Sequence, residues 1–160
     1  MAWAKNGTPV TLTSSGNNMD ITDLTANKFQ QLLTHTISTG GNIVSRLTFD
    51  NITTTSYARR ASVNGAADAT GTSAANNPLT QTHNDDSFNI IYLVDISGEE
   101  TLALNFDIER NAAGAGNAPD RLEQVFKFDD TTQFTRVDIN NDSGVGSFDT
   151  DSNLSAIGTD

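Results

Sequence analysis

Residues 88–108 read FNIIYLVDISGEETLALNFDI, and this stretch decides the fold. Residues 88–96 are the most apolar run in the chain. They suit a strand buried on both faces, since such strands read as near-continuous apolar runs. Gly98-Glu99 marks a turn. Residues 101–108 then alternate, with Leu102, Leu104, Phe106 and Ile108 on one side and Ala103, Asn105 and Asp107 on the other. Alternation with a period of two is the signature of a strand with one face against a core. Two strands around a Gly-containing turn form a hairpin, and this one is expected at the centre of the molecule.

Outward from the hairpin, the same kind of segment recurs. Residues 9–13 alternate before the turn residues Ser14-Ser15-Gly16-Asn17-Asn18, and residues 19–21 follow. Residues 25–36 are open to a short helical reading through Leu24, Lys28 and Leu32. The Thr-rich end and the Gly40-Gly41 stop favour a strand, with Phe29, Gln31, Leu33, His35 and Ile37 on one side and Leu32, Thr34 and Thr36 on the other. Further strands are expected at 43–49, 57–63, 122–128 and 134–139, and a closing strand at 154–157 with Leu154 and Ile157 buried. The stretch 64–83, NGAADATGTSAANNPLTQTH, has one large apolar side chain, Leu79, and reads as a long surface loop. Residues 110–119 read as a second loop. The sum is eight to ten strands with turn signals between them. That is an all-β fold, an antiparallel β-sandwich or jelly roll, in a single domain over residues 1–160.

Composition agrees. Thr, Asn, Ser and Gly supply 64 of the 160 residues, which favours strands and turns over helices. There is no cysteine, so disulfides and thiolate metal sites are excluded. No apolar run has the ~20 residues of a membrane-spanning helix, and the first ten residues do not read as a signal peptide. The formal net charge is −11, and it is uneven. Residues 1–80 carry five Lys or Arg against four acids, whereas residues 81–160 carry four against sixteen. Such a surface repels nucleic acid and stays soluble.

Candidate chemistry is sparse. Asp138, Asn140, Asp142 and Asp149 fall at positions one, three, five and twelve of a calcium-loop pattern. Ser143 stands where that motif has Gly, the twelfth residue is Asp, and the flanks read as strands. A calcium ion in a β-loop is therefore weighed against a plain hairpin turn at Asn141-Asp142-Ser143-Gly144. The pairs Asp85-Asp86, Glu99-Glu100 and Asp129-Asp130 point to opposite sides of any strand that holds them, which does not suit acid–base work on one bond. His35 and His83 lack the partners of a catalytic triad or a transition-metal site. Trp3, Tyr57 and Tyr92 are the residues able to stack on a sugar ring. No catalytic residue is assigned.

Five segments carry a resemblance: LTANKF (24–29), the stretch Tyr57-Ala58-Arg59-Arg60 with Ser62 and Asn64-Gly65, DISGEE (95–100), AAGAGNAPDRLE (112–123) and RVDINNDSGVGSFDTDSNLSAIGTD (136–160). In this order and spacing the chain resembles a group of uncharacterised virion-associated β-sandwich proteins of marine tailed bacteriophages. The resemblance implies a structural module and brings no catalytic residues. The expectation is a non-enzymatic virion protein that decorates or cements the capsid, docked on the major capsid protein or another virion protein. A homo-oligomer is expected, a trimer being favoured, with no cofactor beyond possible calcium and no nucleic-acid or membrane partner. A glycan-binding module of a tail fibre or adhesin is the alternative, and a polysaccharide depolymerase the third reading.

Overall fold

The computed structural model describes residues 2–160 and is all-β. Its fifteen strands, in chain order, are β1 Ala4–Lys5, β2 Val10–Thr11, β3 Asn18–Ile21, β4 Phe29–Thr36, β5 Ser38–Thr39, β6 Ser45–Phe49, β7 Tyr57–Val63, β8 Ala69–Ala74, β9 Asn77–Pro78, β10 Ser87–Val94, β11 Thr101–Glu109, β12 Asp120–Phe128, β13 Val137–Asn141, β14 Ser147–Phe148 and β15 Asn153–Thr159. Ten of these are four residues or longer, in keeping with the eight to ten read from alternation. The others are two-residue pairings along the edges.

The strands form a sandwich of unequal sheets. The large sheet runs β1-β15-β4-β10-β11-β12-β7-β8, with β2 also on β15. The small sheet runs β3-β13-β6-β9, and β14 and β5 make a ribbon. All pairings are antiparallel. The hairpin of residues 88–108 does lie in the middle of the large sheet, in the register Tyr92↔Leu104. Its turn places Gly98 at φ 91°, a conformation that strains any residue with a Cβ.

One core lies between the sheets. Met19, Ile21, Leu47, Phe49, Val137 and Ile139 of the small sheet meet Leu32, Ile91, Leu93, Phe126, Phe128 and Leu154 of the large one. Phe49 stacks on Phe134 with ring centroids 4.2 Å apart, and Tyr57 on Phe128 at 4.9 Å. Aromatic pairs of this kind add about 0.5–1.5 kcal/mol beyond the area they bury.

Three expectations are corrected. Residues 64–83 are not one surface loop. Thr70 and Thr72 suit a strand, and residues 69–74 pair with β7 as β8 with Thr70 opposite Arg60, while Asn77, Leu79, Thr80 and His83 are buried. Pro78 fits in β9 because that strand is the edge of its sheet, where a missing N–H costs no ladder bond. Ile157 is only half-buried, whereas Leu154 is fully buried. Residues three apart on a strand point to opposite faces, so both could not enter one core. Finally, β10 is not covered on both faces: its burial alternates, and Phe88 and Tyr92 are exposed.

Candidate functional site

The exposed side of β10 belongs to a larger surface. Along β11 the inward residues are Thr101, Ala103, Asn105, Asp107 and Glu109. The apolar stripe Leu102, Leu104, Phe106 and Ile108 faces away from the core and is 47–56% exposed. Register partners share a face of a sheet. Hence Val94, Tyr92, Ile90 and Phe88 of β10 stand beside Leu102, Leu104, Phe106 and Ile108. Phe29 and Leu33 of β4 adjoin Val94 and Ile90, and Val125 of β12 adjoins Leu104. The result is an apolar field four strands wide.

The sheet curls around part of this field. Trp3, just before β1 at one edge, and Thr70 of β8 at the other line the same trough of about 660 Å³ with Tyr92, Leu104 and Val125. Charge lies at the rims of the field: Lys5 of β1 at one edge, and on the β12 and β7 side Arg60, Arg121 and Lys127, paired with Asp68, Glu123 and Glu100. Lys127 donates to both oxygens of Glu100 at 2.9 and 2.7 Å, and that bond raises its pKa above the usual ammonium value.

The inversion of β11 has a local cause. Residues 77–81 cross the inner surface of the large sheet as a largely irregular segment, and their polar groups need partners away from water. The inward side chains of β11 and β12 provide them. Asn105 Nδ2 donates to the Leu79 carbonyl at 3.1 Å, the Gln81 N–H donates to Glu109 at 2.8 Å, and Asn77 Nδ2 donates to Gln124 at 2.8 Å. A polar inner face on β11 obliges its apolar residues to lie outside. The fold is not loosely formed, for its accessible surface of 7661 Å² compares with about 7,700 Å² for a compact monomer of this mass.

The sequence-predicted calcium residues have other partners. Asp138, in the middle of the small sheet, is held by Arg136 at 2.8 Å, and Asp142 by Arg46 at 3.1 Å. Asn140 pairs in register with Asn18 and Arg46. Asp149 follows the β14 ribbon and accepts from the Thr150 N–H at 2.8 Å. Among the described residues, no three His, Asp or Glu side chains form a metal-sized group, so Asp138, Asp142 and Asp149 do not converge. The calcium expectation at this loop keeps its sequence pattern as its only support.

Of the other candidates, Asp85 and Asp86 both bind Arg110, at 2.7 and 3.1 Å. His83 is buried, with Nδ1 2.8 Å from the Asp85 carbonyl oxygen. His35 lies on the outer face of β4 opposite Phe88. Tyr57 is buried, its hydroxyl accepting from the Phe49 N–H at 2.8 Å, and burial raises its pKa. It is closed to a sugar, whereas Trp3 and Tyr92 are open. No family model, curated protein or solved structure matches this chain. The functional reading therefore rests on the molecule's own surface.

That surface was present in the sequence as the alternation of β11, but its sense was inverted. The available signal was the polar set Asn105, Asp107 and Glu109, which alternates as regularly as the leucines do.

Proposed function

We propose that this chain is a non-enzymatic structural protein of a phage virion, a decoration or cement protein that assembles as a homo-oligomer on the particle surface. The observation that carries the reading is the uncovered apolar outer face of the large sheet. Soluble monomers rarely expose more than a few hundred Å² of contiguous apolar surface. Four strands ~4.8 Å apart and some eight residues long give a footprint of about 500 Å² before the relief of the side chains is counted. A standard stable interface buries about 800 Å² per partner, so the face is of the size a subunit contact needs.

Charge supports a second copy as the occupant. The chain carries −11, yet the charges around this face nearly balance, Lys5, Arg60, Arg121 and Lys127 against Asp68, Glu100 and Glu123. Copies of an acidic chain repel each other least where the acids are fewest. A closed cyclic assembly, such as a trimer, would cover the face and leave the acidic surfaces outward. The likeness of five segments to virion-associated proteins of marine tailed phages supports the setting.

Cosedimentation with purified virions tests the reading. The wild-type chain should pellet with particles, and Leu104→Lys with Phe106→Lys should weaken this at least tenfold at an unchanged melting temperature. A double variant that binds as well as wild type, or a wild-type chain that stays in the supernatant, would count against it. Exposed Trp3 and Tyr92 beside one trough favour a second reading, a glycan-binding module. That reading expects glycan-array hits that Trp3→Ala abolishes, and an array without hits removes it.

A further inference from the structure

Residues 77–83 form a strap between the two sheets. On the small-sheet side the Leu79 N–H donates to the Ser45 carbonyl at 2.9 Å, and His83 exchanges backbone bonds with Ile43 at 2.7 and 3.1 Å. On the large-sheet side its last tie is the Gln81 N–H on Glu109. Glu109 ends β11, and Asp107 stands two residues before it on the same inward face. Both are buried, at 5% and 1% exposure.

The two carboxyls are hydrogen-bonded to each other. No N–H or O–H of another residue reaches either oxygen of Asp107. Ionised carboxylates only accept, so this bond needs a proton held between the two groups. Among the described residues no cation is paired with either carboxyl. The register partners of Asp107 are Asn89 and Leu122, and those of Glu109 are Ser87 and Asp120. Asp120 is a third acid and accepts from Asn64 Nδ2 at 2.8 Å. On the strap, His83 turns Nδ1 to the Asp85 carbonyl oxygen, and its Nε2 has no partner. Arg110, next to Glu109 in sequence, is engaged by Asp85 and Asp86. Ile43 and Ser45, which bond to the strap from the small-sheet side, are uncharged.

We propose that the Asp107–Glu109 pair is a proton-operated latch on the strap. With the proton in place, Asp107 donates to Glu109, and Glu109 also accepts from the Gln81 N–H. Without it, two like charges face each other in an interior that screens them poorly, and one must leave. Asp107 lies within β11, between β10 and β12, whereas Glu109 ends the strand and has the longer side chain. Glu109 therefore turns towards solvent, and Gln81 loses its acceptor. Burial, reinforced by the Glu109 charge, raises the Asp107 pKa to about 9. The latch is thus closed at neutral pH and opens as pH rises through that value. It acts within one chain and needs no second copy.

Hydrogen exchange of the intact chain, read residue by residue as protection factors, tests this, because such factors remove the ordinary base catalysis of exchange. In the wild type, Gln81 protection should fall about tenfold per pH unit above the Asp107 pKa, and by clearly more than that of Ile91 in the middle of the large sheet. Asp107→Asn, which cannot ionise, should hold Gln81 protection level over the same range. Glu109→Gln keeps an acceptor for Gln81 and carries the test should Asp107→Asn fail to fold. Gln81 protection that stays level in the wild type, that falls only in step with Ile91, or that falls as steeply in a folded variant would overturn the proposal.

Discussion

Asp95 shows what one buried carboxylate can do when its partners are complete. It follows β10 directly, is 1% exposed, and accepts from the Thr101 hydroxyl at 2.9 Å and the Phe134 N–H at 3.1 Å. It thereby joins the hairpin to the segment that enters β13. Burial raises its pKa, and the two hydrogen bonds act in the opposite direction. Asp95→Ala would leave two buried donors unpaired and should cost about 2–3 kcal/mol, a fall in melting temperature of roughly 5–10 °C. An unchanged melting temperature would contradict that role. Asp107 is the contrasting case. Burial, reinforced by the Glu109 carboxylate, pushes its pKa from 3.8 up to about 9. A carboxyl whose folded pKa is raised binds its proton more tightly in the folded chain than in the unfolded one. Its contribution to stability is therefore fully present below about pH 4 and is lost as pH rises towards about 9. The wild-type chain should lose denaturant stability across that window, and Asp107→Asn should flatten the loss. Equal pH profiles for the two proteins would remove Asp107 as the cause.

At the scale of elements, the strands were legible because alternation is a local signal. β4, β11, β12 and β15 each lie within a few residues of where their patterns place them. Which face meets the core is not a local property. Leu102, Leu104, Phe106 and Ile108 read as one side of a strand, and that this side faces outward is decided by residues 77–81, some 25 positions away, whose backbone needs Asn105 and Glu109. The same segment was obscured in the sequence by its small residues. Its burial depends on two strands, β8 and β9, that pair with different sheets, β8 with β7 and β9 with β6. The apolar face was thus recoverable as a stripe but not as a surface. The closing strand bears a direct test. β15 lies between β4 on one side and β1 and β2 on the other, and it buries Leu154 and Ala156. Leu154→Ala should destabilise the fold by about 2–5 kcal/mol. Deletion of residues 150–160 should do more, leaving no cooperative melting transition. A truncated chain that melts as wild type does would show that β15 is dispensable.

The whole molecule presents an acidic exterior with one apolar side whose few charges nearly balance. Covering several hundred Å² at about 25 cal/mol per Å² gives on the order of 10 kcal/mol before the cost of association is subtracted. That cost is itself roughly 4–15 kcal/mol, so the contact is expected to depend on concentration and to gain from repetition on a particle. The most direct test is the molar mass of the purified chain by light scattering over a range of concentrations. The account predicts a multiple of the 17.0 kDa chain mass, three for a trimer, that falls to 17.0 kDa in the Leu104→Lys, Phe106→Lys variant with its melting temperature kept. A wild-type mass of 17.0 kDa at every concentration, or a double variant that retains the wild-type assembly, would contradict it.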